Sequence, residues 1–127
     1  MKNEYKDKRV LIIGDGISGK GAKEALEKCG AICDIFDEKY SESFPESEYD
    51  LIVISPSVPS DHFIYDFAKE KNIPLIGEIE LGFTLFGGVT VAVTGTNGKT
   101  TTVSLVGEIL KRANIKTSVC GNIGVSF

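Results

Sequence analysis

The 127-residue sequence has few cysteines, a single histidine and no long apolar stretch. Its three cysteines, Cys29, Cys33 and Cys120, form neither a CxxC pair nor a zinc-ligand pattern, so we expect reduced thiols and a cytoplasmic location. No apolar run approaches the roughly 20 residues of a membrane helix, and the charged start of the chain is unlike a signal peptide. His62 lies among charged residues, where a surface position is expected and no catalytic pair can be built with it.

Basic residues are in the minority. Lys and Arg number 14 against 18 Asp and Glu, which gives a net charge of −4. This balance excludes a broad basic surface for nucleic acid or an anionic membrane. Apolar residues at 42% and charged residues at 25% are ordinary globular values, so the chain is neither disordered nor fibrous. Glycine is the abundant residue, with 14 against 4 prolines, and its positions carry the functional prediction.

Short apolar runs alternate with segments of helical character. The runs, rich in Val and Ile and bounded by Gly, Ser or Pro, are 10–13, 31–36, 51–54, 73–76 and 89–93. Such continuous runs are typical of strands buried on both faces of a parallel sheet. The helical segments are 18–29, 60–71 (with Ser60 or Asp61 as cap) and 100–112. The alternation predicts an α/β fold: a Rossmann-like parallel sheet with helices on both faces.

A strand, a glycine loop and a helix follow one another twice, and 77–88 is interpreted as a joint between the two copies. We predict that 1–88 form one nucleotide-binding domain and that 89–127 form the first β-α-β of a truncated P-loop domain. The second unit is too short to bury both faces of its own sheet. We therefore expect it to expose apolar faces and to associate with itself or with the first domain.

The first glycine loop has the pattern GxGxxG, formed by Gly14, Gly16 and Gly19 directly after a strand and at the start of a helix. Such glycines let the backbone turn tightly and approach a pyrophosphate, which then lies at the positive end of the helix. Asp37, at the end of the second strand, is placed to hold a ribose. Glycines that serve only close helix–strand packing are the alternative.

The second glycine loop, TGTNGKTT at 94–101, ends in the Gly-Lys-Thr of a P-loop. In a P-loop, backbone N–H groups cradle phosphate, Lys99 supplies a positive charge and the Thr100 hydroxyl can bind Mg²⁺. The general pattern has glycine where this chain has Val93, and Gly95 supplies the turn instead. A loop with a threonine cap and no nucleotide is the alternative. The predicted ATP-binding residues are Gly95, Thr96, Asn97, Gly98, Lys99, Thr100 and Thr101.

This second loop resembles the ATP loop of the Mur ligases, the amide-bond-forming enzymes of peptidoglycan precursor synthesis. The first loop, Ser55-Pro56, the GEIEL stretch at 77–81 and the GNIG stretch at 121–124 are similar to the D-glutamate-adding branch of that family. The resemblance covers the whole chain, yet members of the family are three-domain enzymes several times longer. It implies that the chain is a UDP-substrate domain followed by the start of the central ATPase domain.

The resemblance also implies a reaction. The γ-phosphoryl group of ATP passes to the carboxylate of UDP-N-acetylmuramoyl-L-alanine, and the amine of D-glutamate then attacks the acyl phosphate. It implies catalytic roles for Lys99 and Thr100, with Thr100 as the Mg²⁺ ligand. The D-glutamate site and the acidic metal ligands would lie beyond Phe127, so we expect this chain alone to turn over no substrate.

The family's substrate contacts carry over to matching positions around the first loop. The implied UDP-substrate residues are Gly14, Gly16, Ile17, Ser18, Gly19, Asp37, Glu38, Lys39, Ser55, Pro56 and Asn122. Two positions depart from the family. Glu38-Lys39 stand where a Thr-Arg-like pair is common, and Ser57 replaces a glycine, which would strain the backbone if that position needs a positive φ.

Two other functions remain open. An NAD-dependent enzyme or NAD-sensing domain would use the first loop and Asp37, but it leaves the Gly98-Lys99-Thr100 loop unexplained. A non-catalytic nucleotide-binding module, complete as it stands, is the second alternative. Binding of NADH against binding of UDP separates the first alternative from the ligase.

Overall fold

The computed structural model describes residues 4–39, 41, 43–45 and 47–121. Its elements in chain order are β1 (Arg9–Ile13), α1 (Ile17–Lys28), β2 (Ile32–Phe36), β3 (Leu51–Ile54), α2 (Phe63–Glu70), β4 (Leu75–Gly77), α3 (Glu78–Leu85) and α4 (Lys99–Arg112). The chain divides into two compact units, Met1–Gly87 and Gly88–Phe127.

The first unit is built on a four-stranded parallel sheet with the order β2-β1-β3-β4. Ile13, the last residue of β1, is in register with Phe36 on one side and with Ile54 on the other. The chain first moves from β1 to β2 and then returns across β1 to β3, so the order reverses between β1 and β3. In open α/β sheets, ligands bind outside the carboxyl ends of the strands at such a reversal. The predicted α/β class and parallel sheet are confirmed.

Helices cover both faces of this sheet. Successive residues of each strand point to opposite sides, and the apolar side chains on each side are buried against a helix. One core cluster joins the sheet to α1 and α3 and includes Val10, Ile12, Ala22, Leu26, Val53 and Leu81. The other joins it to α2 and includes Leu11, Ile13, Phe36, Ile52, Ile54, Ile64 and Ala68. The predicted placement of helices on both faces is therefore confirmed for the first unit.

Residues 77–88, interpreted from the sequence as a joint, contain helix α3. Glu78 and Glu80 lie in its first turn, where carboxylates interact favourably with the positive end of the helix. Leu81 is 1% exposed in the core, and Leu85, one turn later, packs against the same cluster. The internal Gly82 does not break the helix, because burial of the two leucines outweighs its propensity cost of about 1 kcal/mol.

In the second unit, the prediction of a strand at 89–93 is wrong. Among the described residues 88–121, α4 is the regular element, and both 89–95 and 115–120 lack secondary structure. A strand needs a neighbouring strand to receive its backbone hydrogen bonds, and this segment has none in the described chain. Val89 and Val91 are accordingly 93% and 58% exposed. The predicted helix at 100–112 is confirmed as α4.

Gly107, in the middle of α4, is buried, and a Cβ added there would overlap a methyl group of Val119. Glycine to alanine in an open helix normally stabilises by about 1 kcal/mol. Here we expect Gly107→Ala to destabilise the second unit by about 1–3 kcal/mol, because the added methyl overpacks this contact. Amide hydrogen exchange of α4 measures the effect, with Ser104→Ala on the exposed side of the helix as control. Slower exchange in Gly107→Ala than in the control would contradict this expectation.

The cysteines form no disulfide. Cys29, Cys33 and Cys120 are free thiols, and burial together with the nearby Glu27 raises the pKa of the Cys33 thiol to about 11. In the described part of the chain, no group of three or more His, Cys, Asp or Glu side chains could hold a metal ion. No helix among those residues has the length and apolar character needed to cross a membrane.

Candidate functional site

The carboxyl ends of β1, β2 and β3 meet at a cleft of about 350 Å³, within the usual range for small-molecule sites. Its lining residues are Gly14, Asp15, Gly16, Ile17, Ser18, Asp37, Lys39, Ser55, Pro56 and Ser57. The cleft lies at the reversal of strand order and unites three segments that are distant in sequence. Most of the predicted UDP-substrate residues are therefore brought together by the fold.

The glycines of the first loop differ in what they do. Gly14 has a φ of +104°, and a Cβ there would lie 2.9 Å from Ser55 Oγ. Gly19 lies beneath the loop, where a Cβ would overlap the Gly14 carbonyl oxygen. Gly16 lines the cleft, and a Cβ on it would have no atom within 4 Å. The outer two glycines make the turn possible, and the middle one keeps its surface open to the cleft.

Helix α1 begins directly behind this loop and directs its first backbone N–H groups toward the loop. Gly16 is the N-cap, no side chain caps this end, and the first turn of α1 contains no acidic residue. The N–H groups of Ile17 and Ser18 have no acceptor within the helix. An uncapped helix end with its partial positive charge is suited to binding an anion such as phosphate.

Asp37 places a negative charge at the cleft, opposite in sign to the start of α1. Its carboxylate accepts hydrogen bonds from the backbone N–H groups of Asp15 and Lys39, each at 3.0 Å. These two bonds hold the pKa of the Asp37 carboxyl below its usual value. The carboxylate is thus fixed in place as an acceptor for a hydroxyl or N–H group. The cleft combines an anion-binding helix end with a carboxylate, an arrangement that suits a nucleoside diphosphate.

The lowered pKa of Asp37 predicts a pH effect on stability. Because the pKa is lower in the folded state, its stabilising contribution is present above the ordinary aspartate value of 3.8 and is lost as the pH falls through the folded value. We expect Asp37→Asn to reduce the acid-induced loss of unfolding free energy, measured by urea unfolding over a pH series. The exposed Asp61→Asn is the control. Equal acid sensitivity in both variants would contradict this expectation.

Two predicted residues of this site, Gly19 and Glu38, are not part of the cleft lining. Gly19 supports the loop from below, and Glu38 does not line the cleft but lies with Oε1 3.3 Å from Nε2 of His62. Asn122 lies outside the described residues. Ser57 lines the cleft and is not among the described residues with positive φ, so its replacement of glycine brings no strain.

His62 was expected at the surface, and that prediction is wrong. Its side chain is 12% exposed, and its Nδ1 accepts the backbone N–H of Ile64 at 3.2 Å, which makes His62 the N-cap of α2. The sequence favoured Ser60 or Asp61 because hydroxyl and carboxyl side chains are the commoner caps. The position of His62 immediately before the apolar pair Phe63-Ile64 was the available signal.

The second glycine loop is exposed and leads directly into α4. Gly95 and Gly98 have φ values of +148° and +77°, and α4 begins at Lys99 without a side-chain cap or an acidic residue in its first turn. The Lys99 ammonium donates a hydrogen bond to the Gly95 carbonyl and lies 3.5 Å from that of Thr96. The positive charge is therefore held over the loop, and within the described part of the chain no carboxylate pairs with it, which suits a loop that receives phosphate.

Thr100 is exposed in the first turn of α4, so its hydroxyl is accessible to a metal ion bound at the loop. Mg²⁺ in nucleotide sites retains several waters and uses phosphate oxygens and few protein ligands. One hydroxyl beside an uncapped helix end is compatible with that coordination. The ATP-binding residues and the Mg²⁺ ligand remain predictions.

No protein-family model matches the chain. Curated proteins named UDP-N-acetylmuramoylalanine–D-glutamate ligase are similar to nearly all of it. The match is 42% identical over 98% of this chain for the protein of Lachnospira eligens and 41% over 96% for that of Alkaliphilus oremlandii. For the protein of Caldicellulosiruptor bescii it is 40% over 98%. In each case the match covers 32% of the relative, so the chain spans about a third of the length of these proteins.

Proposed function

The chain belongs to the Mur ligase family, and from that premise we propose that it is the N-terminal part of an ATP-dependent ligase that adds D-glutamate to UDP-N-acetylmuramoyl-L-alanine. The cleft at the ends of β1, β2 and β3 is the observation that carries this proposal. It joins a glycine loop, an uncapped helix end and a fixed carboxylate within about 350 Å³. The names of the relatives supply the substrate and the D-amino acid.

In this proposal the cleft binds the uridine diphosphate part of the substrate. The N–H groups of Ile17 and Ser18 at the start of α1 bind the diphosphate, and the open surface of Gly16 lets it approach the backbone. The Asp37 carboxylate accepts hydrogen bonds from the nucleoside. Lys39 adds a positive charge to the cleft lining. These residues bind and orient the substrate and take no part in bond making.

The second loop binds Mg²⁺-ATP in this proposal. When bound there, ATP would supply the phosphoryl group that activates the substrate carboxylate, so that the amine of D-glutamate could bond to the acyl carbon as inorganic phosphate leaves. The backbone N–H groups of Asn97, Gly98 and Thr100 orient the phosphates, Lys99 neutralises charge on them, and Thr100 binds the metal. The remaining catalytic groups and the D-glutamate site belong to the part of the protein that this chain does not include.

Titration calorimetry with UDP and with NADH tests the first site on this chain. We expect UDP to bind to the unaltered protein, Asp37→Ala to bind it at least tenfold more weakly, and NADH not to bind. Preferential binding of NADH would instead support an NAD-binding domain, which also uses a carboxylate at the end of the second strand. In the whole protein, phosphate release should require ATP, the UDP substrate and D-glutamate together.

A further inference from the structure

His62 links two elements that meet beside the nucleotide cleft. Its Nδ1 accepts the N–H of Ile64 at the start of α2, and its Nε2 lies 3.3 Å from Oε1 of Glu38. An imidazole that accepts at Nδ1 carries its proton on Nε2, the nitrogen that faces the Glu38 carboxylate. The His62 ring also stacks on Phe63, with the centroids 4.6 Å apart. The side chain of this single histidine is 12% exposed, with one ring nitrogen on the α2 backbone and the other beside Glu38.

Glu38 belongs to the turn that carries two cleft residues. Asp37 and Lys39, on either side of it, line the cleft, whereas Glu38 is 62% exposed and reaches to His62. The turn is closed by the Ser41 N–H, which donates to the Asp37 carbonyl at 2.8 Å. On the cleft side it is tied to the glycine loop through the Asp15 N–H and the Asp37 carboxylate. On the other side, the turn contacts His62 through Glu38.

Aromatic side chains pack beside this contact. Phe63, the first residue of α2, makes edge-to-face contacts with Phe36 at the end of β2 and with Phe44, at 6.1 and 5.4 Å between ring centroids. The start of α2 is therefore held against the strand from which the Asp37 turn emerges. Edge-to-face aromatic pairs of this kind stabilise the packing of the two elements beyond what the buried area alone contributes.

We propose that His62 is a positioning residue for the substrate cleft. Acting through Glu38, it fixes the turn that presents Asp37 and Lys39 to the nucleoside of a UDP-linked substrate. The inference rests on the function proposed above, because the ligand is the uridine nucleotide of that proposal. His62 itself does not line the cleft.

Matched variants separate positioning from helix capping. His62→Asn keeps a side-chain acceptor for the N-cap but is too short to reach Glu38. Glu38→Gln keeps an acceptor for His62, and Glu38→Ala removes it. We expect His62→Asn and Glu38→Ala each to weaken UDP binding about three- to tenfold in titration calorimetry, with melting temperatures close to that of the unaltered chain. Glu38→Gln should restore most of the affinity. The double variant should bind no more weakly than either single variant, because both remove one contact.

Backbone NMR signals measure the conformation of the Asp37 turn directly. The backbone ¹⁵N–¹H signals of Asp15 and Lys39, whose N–H groups bond the Asp37 carboxylate, should shift in His62→Asn without ligand. The inference is overturned if UDP binds equally to His62→Asn and the unaltered chain, or if the two single effects add in the double variant. Failure of the unaltered chain to bind UDP would overturn the proposed function and, with it, this inference.

Discussion

Replacement of Gly19 by alanine should destabilise the first unit by at least about 1–3 kcal/mol. Gly19 lies in the first turn of α1, and its Cβ would overlap the carbonyl oxygen of Gly14. That neighbour is backbone, so the overlap is relieved only by separating α1 from the loop. For a unit of this size, the loss corresponds to a fall in melting temperature on the order of 10 °C. UDP binding should be lost with the loop geometry.

Gly16→Ala is the matched control, because it adds the same methyl group to the same loop. The added Cβ meets no atom within 4 Å, and the backbone of Gly16 is extended with φ of −73°, which alanine adopts freely. We expect a loss of only about 0.5 kcal/mol, since alanine is a poorer N-cap residue than glycine. Binding of UDP should nevertheless weaken, because the methyl group projects into open space where the diphosphate would approach. Thermal unfolding of Gly19→Ala no lower than that of Gly16→Ala would contradict the packing argument.

The sheet of the first unit could be predicted because its strands are continuous apolar runs. Residues 10–13 and 51–54 are buried on both faces, and no other element accommodates such runs of Val, Ile and Leu so well. Helix α3 was not predicted, because two usual signals are missing. It begins directly at the end of β4 without a preceding turn, and it contains Gly82. The strand predicted at 89–93 does not form. Its local pattern favours a strand, but a strand needs a neighbouring strand for its backbone hydrogen bonds, and the described chain offers none.

The residues of the candidate site could be predicted where they are glycines of the loop or directly follow a strand. Gly14, Asp37 and Ser55 each follow a strand, and parallel strands bring their carboxyl ends to one edge. The direction of individual side chains was not predictable. Glu38 follows Asp37 in sequence, yet it turns away from the cleft to His62, a contact that depends on how α2 packs against the sheet. Sequence neighbours in a turn do not share a direction, and only tertiary packing decides between them.

Lys99→Ala should weaken binding of Mg²⁺-ATP to the second loop by about one to two orders of magnitude. Hydrogen bonds to charged groups contribute about 1.5–3 kcal/mol, which corresponds to that range of affinity. Among the described residues, the Lys99 ammonium bonds to carbonyl groups of its own loop, at Gly95 and Thr96, and to no carboxylate, so it can turn to phosphate without breaking an ion pair there. Lys111→Ala is the control, because it removes the same charge from the far end of the same helix. Calorimetric titration with Mg²⁺-ATP compares the two variants. Equal affinities would show that Lys99 does not bind the nucleotide and would remove the basis for an ATP site at this loop.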